Sequence, residues 1–501
     1  MLQHLSVSEK RFLALAVLVH LIATWFSVGF HHPDEHYQLV EFAYYKMGMT
    51  PAESLPWEFA ARMRPGLQPL MVYLLMKPYY ALGFSNPYDF ALLLRFITGL
   101  ATIWTALQFH KAVSPQIKSD ALRRVHFLLS LLGWGLVYLH VRFSSETWCA
   151  LAFTWAVIAL WRAGRYSYFW FGLLAGLSFV FRFQALFMIG GAGLWMLFVS
   201  RPGWKSILQA VLGFTLAFGL GLLCERWLYG EWAVSSFAYV YQNIVENRAA
   251  AYGIEPWYWY FGQIVIQGLA PFSIIMLLSI PVMLIYKPRH MLSWSMILFL
   301  LGHIVVAHKE FRFLYPLAFF FPFFAVSTLA FLGEKLAAFD GKAWYRNSKR
   351  IFAVTFWIAN GIALLLIITK PSSDIIALNK VLYDNLKKET IIVYSYEFNP
   401  YVSGDTMGAT FYANPLISSH CIDEYINDTL ALKGKDVWIF SEHAYAKDEF
   451  IFQYAGSFFD SSKTKVIWRR LPEWSYKFNF NGWLERSNPY TIYRLYDHRV
   501  R

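Results

Sequence analysis

A chain of 501 residues in which 57% are hydrophobic and only 15% charged is too apolar for a soluble globular protein, where charged residues make up about 25%. Its net charge of +12 lies in short loops between apolar stretches, where it sets topology and contacts anionic headgroups; it does not form the basic face of a nucleic-acid-binding protein. Three cysteines exclude a disulfide framework: Cys149 and Cys224 fall in apolar stretches and Cys421 stands alone.

From the N-terminus, residues 12–30 form the first apolar stretch. No small-residue cleavage site follows it, so it reads as a retained helix. Further stretches long enough to cross a bilayer are 91–110, 125–142, 146–161, 167–183, 184–200, 206–228, 259–286, 291–307, 313–333 and 351–369. The stretch 67–84 is ambiguous, because it holds Pro69, Lys77, Pro78 and Gly83. If it lies along the interface, the basic loops at Lys10-Arg11, Lys111 to Arg124, Arg162 to Arg165, Arg201 to Lys205, Lys287 to Arg289 and Lys335 to Arg350 all share one face, the cytoplasmic one. The expected fold is therefore a polytopic α-helical membrane protein of about eleven spans over residues 1–369. Residues 31–90 and 229–258 are its large outer loops, and 143–145 and 308–312 also face outward. The polar tail, 370–501, alternates β-rich runs (391–396, 437–441, 465–469, 491–496) with a helical stretch at 376–388, and reads as a small external α/β domain.

Two charged motifs fall on that outer face. After the first span comes His31-His32-Pro33-Asp34-Glu35-His36, and between two late spans comes His308-Lys309-Glu310-Phe311-Arg312. Ionisable groups at membrane depth are costly. Asp34, with Glu35 beside it, is a candidate general base for attack by a hydroxyl on an activated sugar; the alternative is a pair of solvated acids capping the next helix. Arg312, Lys309 and His308 are candidates for binding a phosphate, against the alternative of a snorkelling basic belt. Arg182 lies inside the aromatic run Phe179 to Phe183 and calls for an anionic partner. Arg62 and Arg64 precede the interfacial stretch and fit either role. Glu310, Arg64, Asn243, Tyr252 and Trp257 are candidates for acceptor or sugar binding, with polar edges and aromatic faces for a sugar ring, and suit a membrane interface equally well. No Gly-rich phosphate loop, Cys-x-x-Cys pair, nucleophilic Ser or Cys, or zinc constellation stands out.

In chain order these motifs resemble the signature of the Alg9/Alg12/PIG-B/PIG-Z family of lipid-linked mannosyltransferases (glycosyltransferase family 22). The resemblance covers roughly residues 12–330. It is carried by His32-Pro33-Asp34-Glu35, Arg142 to Glu146, Arg182, Glu225 to Gly230, Tyr252-Gly253 with Pro256-Trp257-Tyr258-Trp259-Tyr260, and His308 to Pro316. Glu225 replaces an Asp, Ser144 stands where Asn is usual, and Gln184 takes the place of a Pro soon after Arg182.

The resemblance implies a GT-C fold and an inverting transfer of mannose from a polyprenyl-phosphate donor to a glycolipid or lipid-linked glycan. Asp34 would act as general base with Glu35 in support, and Arg312, Lys309, His308 and Arg182 would hold the donor phosphate. It implies no cofactor and no metal. A transporter of lipid-linked saccharides, or a transferase of another polyprenyl-phosphate sugar, are the alternatives. Few cysteines and a divergent tail favour a bacterial inner membrane over the endoplasmic reticulum, and Asn427-Asp428-Thr429 is a lone sequon on the outer face.

Overall fold

A computed structural model of the chain describes residues 6–386, 391–395, 409–421, 436–441, 464–469, 477 and 491–495. All eleven apolar stretches are largely helical. The first lies in Val7–Phe26, opened by Ser6 and Glu9 in a reciprocal capping box. Pro87–Val113 starts on an Asn86 cap with proline in its first turn.

Span length is where the structure departs from the sequence reading. Three helices are long and apolar enough to cross a membrane: Pro87–Gln116, Trp204–Tyr229 and Ala343–Thr369. Two bent pairs bring the number to five: Asp120–Leu132 with Trp134–His140, at 45°, and Phe311–Ala318 with Phe321–Lys335, at 73°. Ser145–Trp161, Ser167–Phe181, Ala185–Ser200, Phe272–Tyr286 and Met291–Val305 are shorter. A 15-residue helix reaches about 22 Å against a hydrocarbon core of about 30 Å. Val7–Phe26 is long enough, but Glu9, Lys10 and Arg11 charge its first turn.

The breaks have local causes. Between Leu132 and Trp134 the ladder lapses, and the Asn360 side chain takes up both freed groups. Its amide donates to Leu132 O (2.9 Å) and its oxygen accepts from Trp134 N (3.0 Å). Non-helical backbone at membrane depth is tolerated where the protein supplies such partners. The stretch 259–286 is divided at Gly268 to Pro271 into Trp259–Gln267 and Phe272–Tyr286.

The helix ends sort into two sets. At one end the basic loops meet each other: His290 Nε2 lies 2.9 Å from Gln116 Oε1, Arg162 donates to Gln108, and Trp195 donates to Arg289 O. The other end gathers Asp34, Glu146, Arg182 and Arg312. The ambiguous stretch forms a helix, Leu67–Ala81, packed beside the residue 37–46 segment and Trp204–Tyr229.

In the tail, Asp374–Asp384 packs Leu378 and Leu382 onto a five-stranded sheet of order β2-β1-β3-β5-β4. The strands are β1 Ile391–Ser395, β2 Ile417–Cys421, β3 Asp436–Ser441, β4 Thr464–Arg469 and β5 Thr491–Leu495. β1 runs parallel to β2 and β3, while β5 is antiparallel to β3 and β4. Strand β2 was not foreseen: its Ser-Ser-His core lacks an apolar alternation. The sequon at Asn427 lies outside the described residues, as do positions 387, 388, 396 and 496 of the expected runs.

Candidate active site

Asp34 opens the three-residue helix Asp34–His36, set by Pro33, and a π-helical turn, Tyr37–Glu41, follows at once. Arg312 stands on a 3-10 turn, Phe311–Leu314, just before the 73° break. The two motifs, 278 residues apart, meet: Arg312 Nη2 donates to Asp34 Oδ2 at 2.8 Å. The same guanidinium donates through Nε to Glu310 Oε2 (2.5 Å), through Nη2 to Glu310 Oε1 (3.1 Å) and through Nη1 to Glu146 Oε1 (3.3 Å). All three of its nitrogens are thus engaged by carboxylates, an arrangement that arginine's planar fork allows and lysine's point charge does not.

Glu146 sits in the first turn of Ser145–Trp161, behind the Ser144 cap. Its Oε1 accepts a second guanidinium, Arg182 Nη1, at 2.8 Å. Arg182 also donates to Ser145 Oγ (3.0 Å) and lies over the Phe313 ring. On the far side of Asp34, Arg64 Nη2 stands 3.9 Å from Oδ2 and is paired with Glu58, which accepts Gln38 as well. The Arg64 backbone is pinned by the Tyr229 hydroxyl, which donates to Arg64 O and accepts from Arg64 N. Gly66 permits that close approach: a Cβ there would lie 2.5 Å from Cys224 O. The result is a continuous chain of alternating charge, Glu58, Arg64, Asp34, Arg312, Glu146 and Arg182.

Burial opposes ionisation of Asp34. Arg312, a hydrogen bond from His32 and the Arg64 charge outweigh it and hold the carboxyl well below the usual carboxylate range. Glu310 is likewise brought down to about 2, burial being overcome mainly by Arg312. Glu35 behaves oppositely. It accepts from His31 N (3.0 Å) with Arg142 Nη1 3.9 Å off, and burial pushes its carboxyl up.

Of the remaining expected residues, His308 bridges Glu310 Oε1 (3.1 Å) and Gly253 O (3.1 Å), so it touches the site's edge. Lys309 does not enter the cluster. It is 5% exposed and its ammonium donates to the carbonyls of Val306, Ala307 and Glu255. Asn243 donates to Tyr239 O, within its own turn. Tyr252 accepts from Trp57 Nε1 and lies near the His308 ring, while Trp257 is exposed against Tyr258 and Phe261. Arg62 pairs with Glu231 at the surface.

Sequence reasoning named Glu146 only as the end of the Arg142 to Glu146 motif and gave no role to it, though it is the acid that joins Arg182 to Arg312. The signal was available, because a carboxylate opening an otherwise apolar helix is costly unless paired. It gave no role to His32, which stands 3.5 Å from Asp34 and 3.4 Å from Glu310, and it passed over Glu58, the partner of Arg64. Among the described residues, no group of three or more His, Cys, Asp or Glu is placed to hold a metal ion.

Beside the cluster lies an apolar cavity of about 410 Å³, lined in part by Phe311, Leu314 and Tyr315, neighbours of Arg312. Its polar lining residues include Gln267, Lys370, Ser372 and His31, the last held between the hydroxyls of Tyr138 (2.8 Å) and Tyr315 (3.2 Å).

The architecture is similar to the crystal structure of the Archaeoglobus fulgidus oligosaccharyltransferase, with a TM-score of 0.51 at 11% identity over 91% of this chain and 71% of that one. That likeness shows a GT-C fold. In sequence, the chain is 23% identical over 383 residues to the human GPI alpha-1,2-mannosyltransferase 3, covering 72% of this chain and 63% of that protein. It is 26% identical over 346 residues to the mouse protein of the same name, covering 65% and 60%. The chain therefore spans about three fifths of the length of these relatives. Both are mammalian, so they lend nothing to a bacterial inner membrane. The sequence profile of the Alg9-like mannosyltransferases matches residues 11–393, most of the membrane domain and the start of the tail, and the chain belongs to that family.

Proposed function

We propose that the chain is an inverting mannosyltransferase that uses polyprenyl-phosphate-mannose and acts on a glycolipid or lipid-linked glycan at the outer face of the membrane. The names of the two relatives point to a GPI glycolipid as the acceptor class. The observation that carries the reading is the Asp34–Arg312 pair, with Phe311, Leu314 and Tyr315 beside Arg312 lining an apolar cavity. The donor's phosphate must lie at the membrane boundary with its prenyl chain in the bilayer. Arg312, gathered with the other charged groups at one set of helix ends, is the group we assign to that phosphate, and the cavity lined by its neighbours Phe311, Leu314 and Tyr315 suits an apolar chain.

In the step itself, the acceptor oxygen bonds to the anomeric carbon as the bond from that carbon to the phosphate oxygen breaks. The acceptor's proton passes to Asp34, and polyprenyl phosphate leaves with the bonding electron pair. Asp34 is suited to the base role because it is ionised and one of the more accessible carboxylates of the cluster, its side chain 24% exposed. Arg312, with Arg182 behind Glu146, stabilises the charge that develops on the phosphate.

The cluster contains three guanidinium groups, Arg64, Arg182 and Arg312, and four carboxylates, Asp34, Glu58, Glu146 and Glu310. A phosphate enters only if one carboxylate yields. Glu310 is the one that yields. Its side chain is 26% exposed, and His308 and His32 stand ready to receive it.

The test uses purified protein in vesicles, with short-chain polyprenyl-phosphate-mannose labelled in the sugar and a GPI-type glycolipid acceptor. Label should move to the acceptor with release of one polyprenyl phosphate per transfer. Passage of the label across the bilayer with no new glycosidic bond would overturn the reading in favour of a transporter.

A further inference from the structure

The C-terminal tail reaches the Asp34 segment from two directions. The first contact lies ahead of the motif. Ser372 N and Ser373 N both donate to Val28 O, at 2.9 and 3.1 Å, and the hydroxyls of Ser27 and Ser372 are 2.9 Å apart. Gly29, at φ +84°, faces Ser373 at a distance where a Cβ would come within 2.7 Å of the Ser373 Cβ, so no larger residue fits.

The second contact lies behind the motif. Glu41 closes the π-helical turn and is 2% exposed. Its Oε1 accepts from His36 Nε2 (2.9 Å) and from Phe411 N (2.9 Å), and its Oε2 accepts from Thr410 Oγ1. Thr410 Oγ1 also lies 2.9 Å from Thr50 Oγ1. The His36 ring is stacked on both faces, by Phe30 at 5.1 Å and 15° and by the tail's Tyr412 at 5.0 Å and 21°.

This is an odd way to glue a domain. The surrounding contacts are apolar, among them Tyr37, Val40, Tyr88, Phe90, Phe411 and Tyr412, and a buried carboxylate adds little net stability to such a core. What the carboxylate adds is geometry. It fixes the edge of an imidazole whose two faces are already clamped, two residues from Asp34 and in the same single turn of helix. His36 cannot shift without carrying Asp34.

From this we propose that the tail segment Thr410–Tyr412 is a positioning element for Asp34, acting through Glu41 and His36, with the Ser372–Ser373 contact holding the other end of the same segment. The proposal rests on Asp34 being the general base. The soluble domain is then part of the catalytic architecture: without its docking, the base is not held to the sub-ångström tolerance that proton transfer needs.

The test uses the full-length protein. Thr410→Val keeps the side chain's shape and removes its hydroxyl. It should lower kcat on the order of tenfold, with the KM for polyprenyl-phosphate-mannose unchanged, and Thr410→Ser should restore it. Glu41→Gln should behave like Thr410→Val. In the double variant Thr50→Cys with Thr410→Cys, the reduced protein should be slow. Oxidation should restore turnover, because the disulfide replaces the lost tie, and reductant should reverse the gain. The proposal is overturned if kcat per folded molecule in Thr410→Val and Glu41→Gln equals wild type, or if oxidation of the double variant leaves turnover flat or lowers it. Asp34→Asn run in parallel separates the two claims. An inactive Asp34→Asn beside fully active Thr410→Val and Glu41→Gln removes the positioning role alone; a fully active Asp34→Asn removes the base role and this proposal with it.

Discussion

Asp34→Asn tests the mechanism most sharply, because base and charge act in opposite directions on turnover and donor affinity. The substitution keeps the shape of the side chain, and its amide oxygen can still accept the Arg312 Nη2 donor that now stands 2.8 Å from Oδ2. What is lost is a proton acceptor and one negative charge. Loss of a general base costs roughly 10²–10⁴ in rate, or about 3–5 kcal/mol of transition-state stabilisation. Loss of the charge works the other way on the donor. A phosphate held by Arg312 would lie about 6 Å from the carboxylate, and at an effective dielectric constant between that of a protein surface and that of water the repulsion is about 1–3 kcal/mol. Part of this is offset, since an amide is a weaker acceptor for Arg312 than a carboxylate. The expected signature is kcat down at least about a hundredfold while the affinity for polyprenyl phosphate is unchanged or up to about fivefold tighter. Single-turnover transfer and polyprenyl-phosphate titration on the same nanodisc preparation measure both. Near wild-type transfer, or a fall in affinity matching the fall in rate, would refute the reasoning.

Further outcomes follow from the same cluster. Arg312→Lys keeps the charge but not the fork and should weaken polyprenyl-phosphate binding about tenfold or more; Arg312→Ala also leaves three carboxylates facing one another and should cost roughly 3–5 kcal/mol of stability by thermal unfolding. Unchanged donor titration and turnover in both variants would reduce Arg312 to a belt residue. Arg64→Gln removes a cation that helps hold the Asp34 carboxyl low, so its pKa rises and the acid limb of the kcat/KM profile moves to higher pH; a limb that stays put or moves down contradicts the assignment. Glu310→Gln should tighten polyprenyl-phosphate binding and cost turnover far less than Asp34→Asn, and weaker binding in this variant would show that Glu310 is not the group that yields. Single cysteines at 123, 162 and 289 should label from the cytoplasmic side and those at 34 and 312 from the outer side; cytoplasmic labelling of both 34 and 312 would end the proposed topology.

The sequence made the centre of the site legible because its two halves are anomalies of one kind, charge at the end of an apolar stretch. Loop-charge bias then placed Asp34 and Arg312 on one face, and the structure joins them at 2.8 Å. Lys309 was grouped with Arg312 because adjacency in a motif says nothing of direction, and the backbone turn aims its ammonium at carbonyls instead. Glu146 was named as part of a motif but given no role, because an apolar stretch was scanned for length and not for the acid at its edge. Helix existence was well read and helix length was not. Breaks such as that at Gly133 depend on a side chain from elsewhere, Asn360, to satisfy the backbone, and no local pattern reports it. The tail's grip on the Asp34 segment was illegible for the same reason: Glu41 and Thr410 are 369 residues apart, and neither is unusual alone.

The placement of charge also separates the two mechanistic classes the sequence left open. A transporter needs a site that both faces of the membrane can reach in turn, and its polar groups therefore gather near the midplane at broken helices. Here two broken helices are present and they differ: the first arm of one, Phe311–Ala318, carries Arg312 into the charged cluster, and the other carries no charge at its break. The Asp120–Leu132 break is closed by a neutral amide, and the charged groups collect at one end on short loops and first turns. Arg312 is tied to residues from three other points of the chain, Asp34, Glu146 and, through Glu146, Arg182, so that moving any one helix to open the opposite face would unpair buried charges. Stripping one partner from a buried pair costs about 3–5 kcal/mol, and a rocking motion would break several at once. A site braced in this way resists alternation. What it allows is exchange at its open edge, where Glu310 and Asp34 are the more exposed acids and the His32 and His308 rings stand 3.4 and 3.1 Å from Glu310, the carboxylate proposed to give way. With the roles proposed above, Asp34 as base and Glu310 as the replaceable anion, such a braced site suits a transferase that admits a phosphate, moves a sugar and releases the phosphate on the same face.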